Sequence, residues 1–349
     1  QKETDTMDTF VDSAWYFWRY PSADSKAIFD DNLKKYPVVD LYIGGPEHAV
    51  LHLLFARFFG KVMKIFGYVT EDEPFQNFYA QGMICMQTYK NKVTNTFVNP
   101  KDVEKDAQGL FISNNGQRQE VLLGSYEKMS KSKKNTVSPQ EILQQSGVDA
   151  MRLFIVSDTP CHKDLQWNEK SLNGCWTFIN RIWRLTHEIH THSHLSKEKD
   201  EYFQEYSWNI FSHIIQDFET ISINVAIAQM RIFVNYIEEN KNNISTELLK
   251  SQWKDFLKLL WCICPVISME CLELLGDDLK FELPFSRPKA QGDIYHLVLQ
   301  KNGKKIDILE VSSHLEEKDL LPVVLEKHPY LCGYNNIIFV KYKIMNFVF

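Results

Sequence analysis

The sequence lacks any C-x-x-C pair. Its seven cysteines are scattered over 349 residues, and the only close set, Cys262, Cys264 and Cys271, lies in a helix-like apolar run. This argues against structural zinc and a disulfide framework and fits reduced thiols, so a cytoplasmic setting is expected. Long hydrophobic runs are missing too. The richest, Phe256 to Cys264, is broken by Lys258 and falls well short of the roughly 18–20 apolar residues that span a bilayer. The start, Gln1-Lys2-Glu3-Thr4-Asp5, has neither an initiator methionine nor the layout of a signal peptide, and the chain is expected to begin inside a longer reading frame. Neither charge dominates. A net charge of −6 does not advertise nucleic-acid binding, although local basic patches can hold an RNA on an acidic protein. What is present is a 44% hydrophobic, 13% aromatic composition, enough to bury cores for two or three domains.

The pattern changes twice along the chain. Residues 1–20 are dense in aromatics (Phe10, Trp15, Tyr16, Phe17, Trp18, Tyr20) and read as a core strand before a polar loop. Leu41-Tyr42-Ile43 predicts a short buried strand running into Gly44-Gly45. From Glu47 onward Val50, Leu51, Leu54, Phe55, Phe58 and Phe59 recur at helical spacing. Strand, glycine turn and helix form an α/β element whose turn faces a ligand cleft. A second helix-to-strand passage is expected over 75–88, and the turn-rich stretch 91–123, with Asn114-Asn115-Gly116, reads as a small inserted hairpin module. From 139 to 284 the period is helical. Leu172, Cys175, Trp176, Ile179, Ile182 and Trp183 mark one apolar face, and Ile223, Ala226, Ile227, Met230, Val234 and Ile237 another, which predicts a bundle. After Pro284 to Pro288 the period becomes alternating. A hairpin turning at Asn302-Gly303, a helix near 315–327 and strands over 337–343 and 344–349 predict a ββαββ module in 289–349.

Two segments carry chemistry. Lys128-Met129-Ser130-Lys131-Ser132 sets two ammonium groups three positions apart with small hydroxyls between them. Lysine is a compact point charge, and such a loop suits closure on a polyphosphate whose leaving group gathers charge. Taken alone, such a run is most often a solvated surface loop. In Gly44-Gly45-Pro46-Glu47-His48-Ala49-Val50-Leu51-His52-Leu53-Leu54, the two glycines let backbone approach a bound group. Glu47, at the expected helix start, can accept from a sugar diol. His48 and His52, at i and i+4, fall on one helix face. That spacing permits a shared metal, but no third ligand is evident nearby and Glu47 lies off the face. Two partly buried, hydrogen-bonded histidines fit better than a shared metal.

Order and context narrow the reading. The lysine loop continues as Lys133-Lys134-Asn135-Thr136-Val137-Ser138-Pro139 and then Gly147-Val148-Asp149-Ala150-Met151-Arg152-Leu153-Phe154, which resembles the KMSKS loop and following helix of class I aminoacyl-tRNA synthetases. The glycine–histidine string resembles the leucyl-tRNA synthetase family. Glu3 to Tyr16 is similar to that family's strand re-entering the catalytic domain after an editing insertion, and Gln81-Gly82-Met83-Ile84 to its adenine-side strand. Asp164-Leu165-Gln166-Trp167 and Phe178 to Arg184 look like the start of its helical domain, and Asn224-Val225-Ala226-Ile227-Ala228 like a helix within it.

The resemblance implies an α/β fold: the C-terminal half of a Rossmann-like catalytic domain over 1–138, an all-α anticodon-binding bundle over 139–284, and a small α+β tRNA-binding domain over 289–349. It implies catalytic roles for Lys128 and Lys131. ATP would be held by Gly45, Glu47, Gln81, Ile84, Lys128, Met129, Ser130, Lys131 and Ser132, and leucine by Phe10, Ser13, His48 and His52. ATP with Mg²⁺, L-leucine and tRNA(Leu) follow as substrates and partners, with Lys301, Lys304, Lys305, Lys341 and Lys343 as candidate phosphate contacts. No protein-held metal is expected.

The chain departs from the family's pattern in three places. Its first signature, H-I-G-H, is absent, as are the N-terminal strands of the nucleotide fold and the editing domain. Pro46 stands where an apolar residue is usual, and Pro265 to Glu270 only partly matches the P-x-x-P-H-x-x-E stretch of the bundle. The expectation is a leucine-tRNA ligase fragment or subunit that is inactive without an N-terminal half. The alternative is a non-catalytic tRNA-binding or subunit-interaction module.

Overall fold

The computed structural model describes residues 4–7, 9–114, 117–193, 197–277, 294–312, 315, 317–340 and 344–349. The chain separates into two compact units, residues 1–283 and 284–349.

The first unit opens with two short helices, α1 (Phe10–Ser13) and α2 (Tyr16–Arg19), where the sequence predicts a strand. With Phe17 and Trp18 adjacent in α2, both rings turn inward onto Leu33, Ala56 and Val69. Aromatic density signals a core here, but not its secondary structure. A short helix α3 (Asn32–Lys35) leads into β1 (Val39–Gly44), which pairs in parallel with β2 (Phe75–Ala80). Between them lies α4 (His52–Ile65).

Three local expectations are corrected in this region. No helix precedes the strand within 75–88; that stretch holds β2 and the start of β3 (Ile84–Asn91). The helix after Gly45 does not start at Glu47. Pro46–His48 forms a 3₁₀ turn, and α4 begins only at His52, because Leu51 (φ −111°, ψ −83°) interrupts the helical backbone. The stripe that α4 buries is His52, Ala56 and Gly60, while Val50, Leu51, Leu54 and Phe58 are exposed.

A second sheet has the order β4-β5-β6-β3-β7, with β4 (Glu104–Asp106), β5 (Gly109–Asn114), β6 (Gln117–Lys128) and β7 (Leu165–Gln166). The stretch 91–123 is not a free-standing hairpin, since β6 runs on to Lys128 and pairs with β3. The predicted turn at Asn115-Gly116 lies outside the described residues. Leu165-Gln166 also departs from expectation. It pairs in parallel with β3 at Ile84 and Cys85, so it closes this sheet rather than opening the bundle.

The helical part comprises α5 (Pro139–Ser157), α6 (Glu169–His190), α7 (Asp200–Glu219), α8 (Ile223–Asn240), α9 (Thr246–Trp261) and α10 (Pro265–Leu274). α5 breaks at Gly147, whose φ of +74° is a left-handed value that glycine adopts without a Cβ penalty. On α6 the buried stripe is Leu172, Cys175, Phe178, Ile179, Ile182, Leu185 and Ile189, whereas Trp176 and Trp183 stay 41% and 37% exposed. On α8, Ala226, Ile227, Met230, Val234 and Ile237 are buried. Two side chains from α5 bind the α9–α10 corner. The Asp149 carboxylate accepts from Ile267 N–H at 2.7 Å, and Arg152 donates to the Ile263 carbonyl at 2.8 Å.

The second unit contains β8 (Ile294–Lys301), β9 (Lys304–Ser312), α11 (Glu317–Lys327), β10 (Asn336–Val340) and β11 (Ile344–Val348), in the sheet order β10-β11-β8-β9. The β8–β9 turn places Asn302 and Gly303 at φ +48° and +79°, the left-handed pair that an Asn-Gly hairpin turn requires. Lys301 lies over the Phe349 ring at 4.2 Å, and Lys304 and Lys305 are exposed. Lys341, Lys343 and the stretch Pro284 to Pro288 lie outside the described residues.

Candidate active site

β1 and β2 run parallel and end together, Gly44 opposite Ala80, and a cavity of about 350 Å³ opens at their carboxyl ends. Ligands of α/β sheets gather at this end because the strands stop there and the following turns diverge. The lining includes Phe10 and Ser13 from α1, Gly45 and His48 from the turn after β1, His52 from α4, and Gln81 from the β2–β3 link. Six of the sequence-predicted site residues thus share one cavity. Gln81 is tied in by its own N–H, which donates to the Gly44 carbonyl at 2.9 Å.

His48 and His52 do not sit on one helix, yet the 3₁₀ turn brings their rings to 6.1 Å, edge to face. Phe10 stands 6.4 Å from His48 and 6.5 Å from His52. His52 is 7% exposed. Burial, and then the neighbouring His48, hold its imidazole below the ordinary histidine value, which favours the neutral form. Its Nε2 lies 2.8 Å from the Tyr42 hydroxyl, which lies 2.7 Å from the Tyr16 hydroxyl. Burial, then the Tyr16 bond, push the Tyr42 phenol well above its usual range. Both tyrosines line the cavity, and the sequence reading assigned neither a role. Their partnership joins α2, β1 and α4, so no single stretch of sequence displays it.

The lysine loop sits beside this cavity rather than in it. Lys128 ends β6, and its Nζ is 2.8 Å from a Glu47 carboxylate oxygen. That hydrogen bond, first among the causes, holds the Glu47 carboxyl below the usual carboxylate range. The loop is fixed at its base: Met129 N–H donates to the Ile84 carbonyl at 3.1 Å. Ile84 therefore contributes backbone to the loop's anchorage. Ser130 and Ser132 approach each other at 3.2 Å between hydroxyls, and Lys131 is exposed at the loop tip. Lys133 pairs with Glu127. Asn135, fully buried, accepts from Ser130 N–H at 2.9 Å and donates to the carbonyls of Met86 and Glu127 at 3.1 and 3.0 Å. Sequence reasoning passed over Asn135; its one signal was an amide ending a run of lysines. Among the described residues no group of three His, Cys, Asp or Glu is placed to hold a metal ion. No helix among them is long and apolar enough to cross a membrane.

Residues 121–168 match the profile of the class I tRNA synthetases for I, L, M and V. Over 99% of its length the chain is 35% identical to the leucine--tRNA ligases of Prochlorococcus marinus (strain MIT 9515) and Rickettsia prowazekii (strain Madrid E), covering 42% and 43% of those proteins. Its fold matches that of the Agrobacterium radiobacter K84 agnB2 LeuRS, solved as a LeuRS-tRNA-LeuAMS ternary complex. The TM-score is 0.69 at 28% identity, over 99% of this chain and 42% of that one. The chain thus spans less than half the length of these relatives. In sequence and in fold it belongs to the leucyl-tRNA synthetase family of class I aminoacyl-tRNA synthetases.

Proposed function

We propose that the chain is part of a leucine-tRNA ligase that activates L-leucine with ATP and transfers it to tRNA(Leu). The observation that carries this reading is the single cavity that gathers Phe10, Ser13, His48 and His52 beside Gly45 and Gln81, with Lys128 reaching Glu47 at its margin. Phe10, Ser13, His48 and His52 take leucine, Gly45 and Glu47 the ribose, and Gln81 with the Ile84 backbone the adenine. Lys128 and Lys131 take the phosphates, on a loop shaped by Met129, Ser130 and Ser132.

In the first step a leucine carboxylate oxygen bonds to the α-phosphorus, and pyrophosphate leaves with the electrons of the broken P–O bond. The lysine ammonium groups stabilise the charge gathering on that leaving group. In the second, a hydroxyl oxygen of the tRNA's terminal adenosine bonds to the leucyl carbonyl carbon and sheds its proton, and AMP departs with the electrons of the broken acyl–phosphate C–O bond. Before either, ATP must displace Lys128 from Glu47. Both side chains are substantially exposed, so solvent screening makes that exchange easy. Mg²⁺ would arrive with ATP on its phosphates, a mode that needs no group of three protein ligands, and among the described residues there is none.

A further portion of the synthetase is needed. Among the described residues β1 pairs on one side only, with β2, and it contributes to a largely apolar groove of about 470 Å³ whose lining includes Trp18, Tyr36, Val38, Asp40 and Leu41. A two-stranded parallel sheet with an open apolar flank is incomplete, because parallel sheets are normally covered and extended. The open flank supports a partner there, and on this reading that partner is an N-terminal half carrying H-I-G-H. The same face supports a second reading, in which the chain is a non-catalytic tRNA-binding or subunit-interaction module.

Leucine-dependent ATP–pyrophosphate exchange separates these readings. The chain alone is expected to show none. Exchange should appear when the portion of a leucine-tRNA ligase that this chain does not align with is supplied, with leucine preferred over isoleucine and valine. A complemented protein that binds tRNA but performs no exchange selects the second reading. Robust exchange by the chain alone refutes the need for a further portion.

A further inference from the structure

We propose that Tyr42 is a positioning residue. It accepts the Nε2–H of His52 and passes its own hydroxyl hydrogen to Tyr16, holding the imidazole in one tautomer and one orientation as a wall of the leucine cavity. The proposal rests on the leucine reading above and deepens it.

The geometry supplies the argument. A neutral imidazole carries one N–H, on either ring nitrogen. His52 Nδ1 is buried and has no hydrogen-bond partner among the described residues, whereas Nε2 has the Tyr42 oxygen at 2.8 Å. A proton on Nδ1 would strand a buried donor; on Nε2 it is paired. With that proton placed, the Tyr42 oxygen is an acceptor toward His52, and its own hydrogen is free for the Tyr16 oxygen at 2.7 Å. The raised Tyr42 pKa agrees with a phenol that keeps and donates its proton. The Tyr42 ring cannot readily swing away. It stacks on Phe75 with centroids 4.0 Å apart and planes at 11°, and Phe17 lies at 6.2 Å.

The consequence concerns specificity. Leucine is recognised through an apolar side chain, and an isomer differing only in methyl placement is rejected by a wall that does not move. An imidazole free to rotate or exchange tautomers would present a changing edge to those methyl groups. Anchoring through Tyr42 removes that freedom without placing a charge in the cavity.

The test begins with the chain labelled with ¹⁵N at histidine, with long-range ¹H–¹⁵N correlations reading the tautomer and His52 assigned by the loss of its signals in His52→Gln. Wild-type His52 should be protonated on Nε2 alone. In Tyr42→Phe both ring nitrogens should move to intermediate shifts as the tautomers exchange. In the complemented enzyme the same substitution should raise KM for leucine about 5- to 10-fold, the effect of one lost hydrogen bond, with kcat within about 2-fold. Tyr16→Phe, which cuts only the outer link, should keep the Nε2–H tautomer. A proton on Nδ1 in the wild type, or a Tyr42→Phe protein with unchanged tautomer and KM, overturns the proposal. Should Tyr42→Phe not fold, the wild-type and Tyr16→Phe spectra decide. The spectra need no leucine, so failure of the leucine reading shows separately, as a complemented enzyme without leucine-dependent exchange.

Discussion

Asn135 does for the lysine loop what charge cannot. The lysines repel one another, and left to themselves they would keep the loop open to solvent. One buried amide binds three backbone groups from two strands and the loop itself, directly after Lys134 has turned the chain with a φ of +54°. Asn135→Ala strands those groups and should cost about 2–4 kcal/mol, read by thermal or denaturant unfolding. In the complemented enzyme it should raise KM for ATP more than KM for leucine, because the loop rather than the cavity is loosened. Equal rises would refute that separation. In the sequence Lys128 to Ser132 stand out through local charge and through the resemblance of the residues that follow to the KMSKS loop, signals carried by consecutive positions. It is silent on Asn135, Tyr42 and Tyr16, whose partners arrive from elements far along the chain. Only the folded strands put an acceptor opposite each donor.

At the scale of elements, periodicity served where one face of a helix meets the core and failed where aromatics sit on both. α8 buries five of the six residues its spacing predicts, with Ile223 half-buried at the helix start. α6 leaves Trp176 and Trp183 outside, since its stripe runs through Phe178 and Leu185 instead. The aromatic stretch before residue 20 folded as two short helices and not as a strand. Adjacent rings on a four-residue helix can both reach a core that also draws on α3 and α4. A further helix, α9, carries a carboxylate in an unfavourable place. Burial, opposed by Lys258 and assisted by Asp277, pushes Asp255 up to about 6 from 3.8. A folded-state pKa raised in this way costs stability as pH rises from about 4 through 6, and the full cost is present at neutral pH. Asp255→Asn should therefore stabilise the chain at pH 7 by on the order of 1 kcal/mol after discounting for solvent, and by almost nothing at pH 4. Unfolding curves at the two pH values check it; an equal gain at both would point to packing instead of charge.

At the scale of the molecule, the apolar flank of β1 is the feature that a soluble monomer rarely leaves uncovered. Leu41 lines that flank and is 43% exposed. Leu41→Lys should leave the circular dichroism of the chain unchanged, because the side chain is outside the core, and should reduce complemented exchange at least about 10-fold by placing a charge in an apolar seam. Retained exchange would show that the partner seats elsewhere. The α/β class of the first unit was legible from strand, glycine turn and helix in succession, and the last hairpin from its Asn-Gly turn. The continuity of β6 with β3 was not legible, since turn residues announce where a chain reverses and not which strand it returns to.

Gly147 gives α5 a joint. The part of the helix beyond it is gripped at the α9–α10 corner by Asp149 and Arg152, while the part before it begins at Pro139, four residues after Asn135. An unbroken rod would convey every displacement of the lysine loop into the bundle as a rigid lever. With a left-handed residue at the joint, the loop's footing points in its own direction while the bundle keeps its grip. The two ends of one helix thus meet through a backbone break instead of a continuous rod, at a cost of a single side chain.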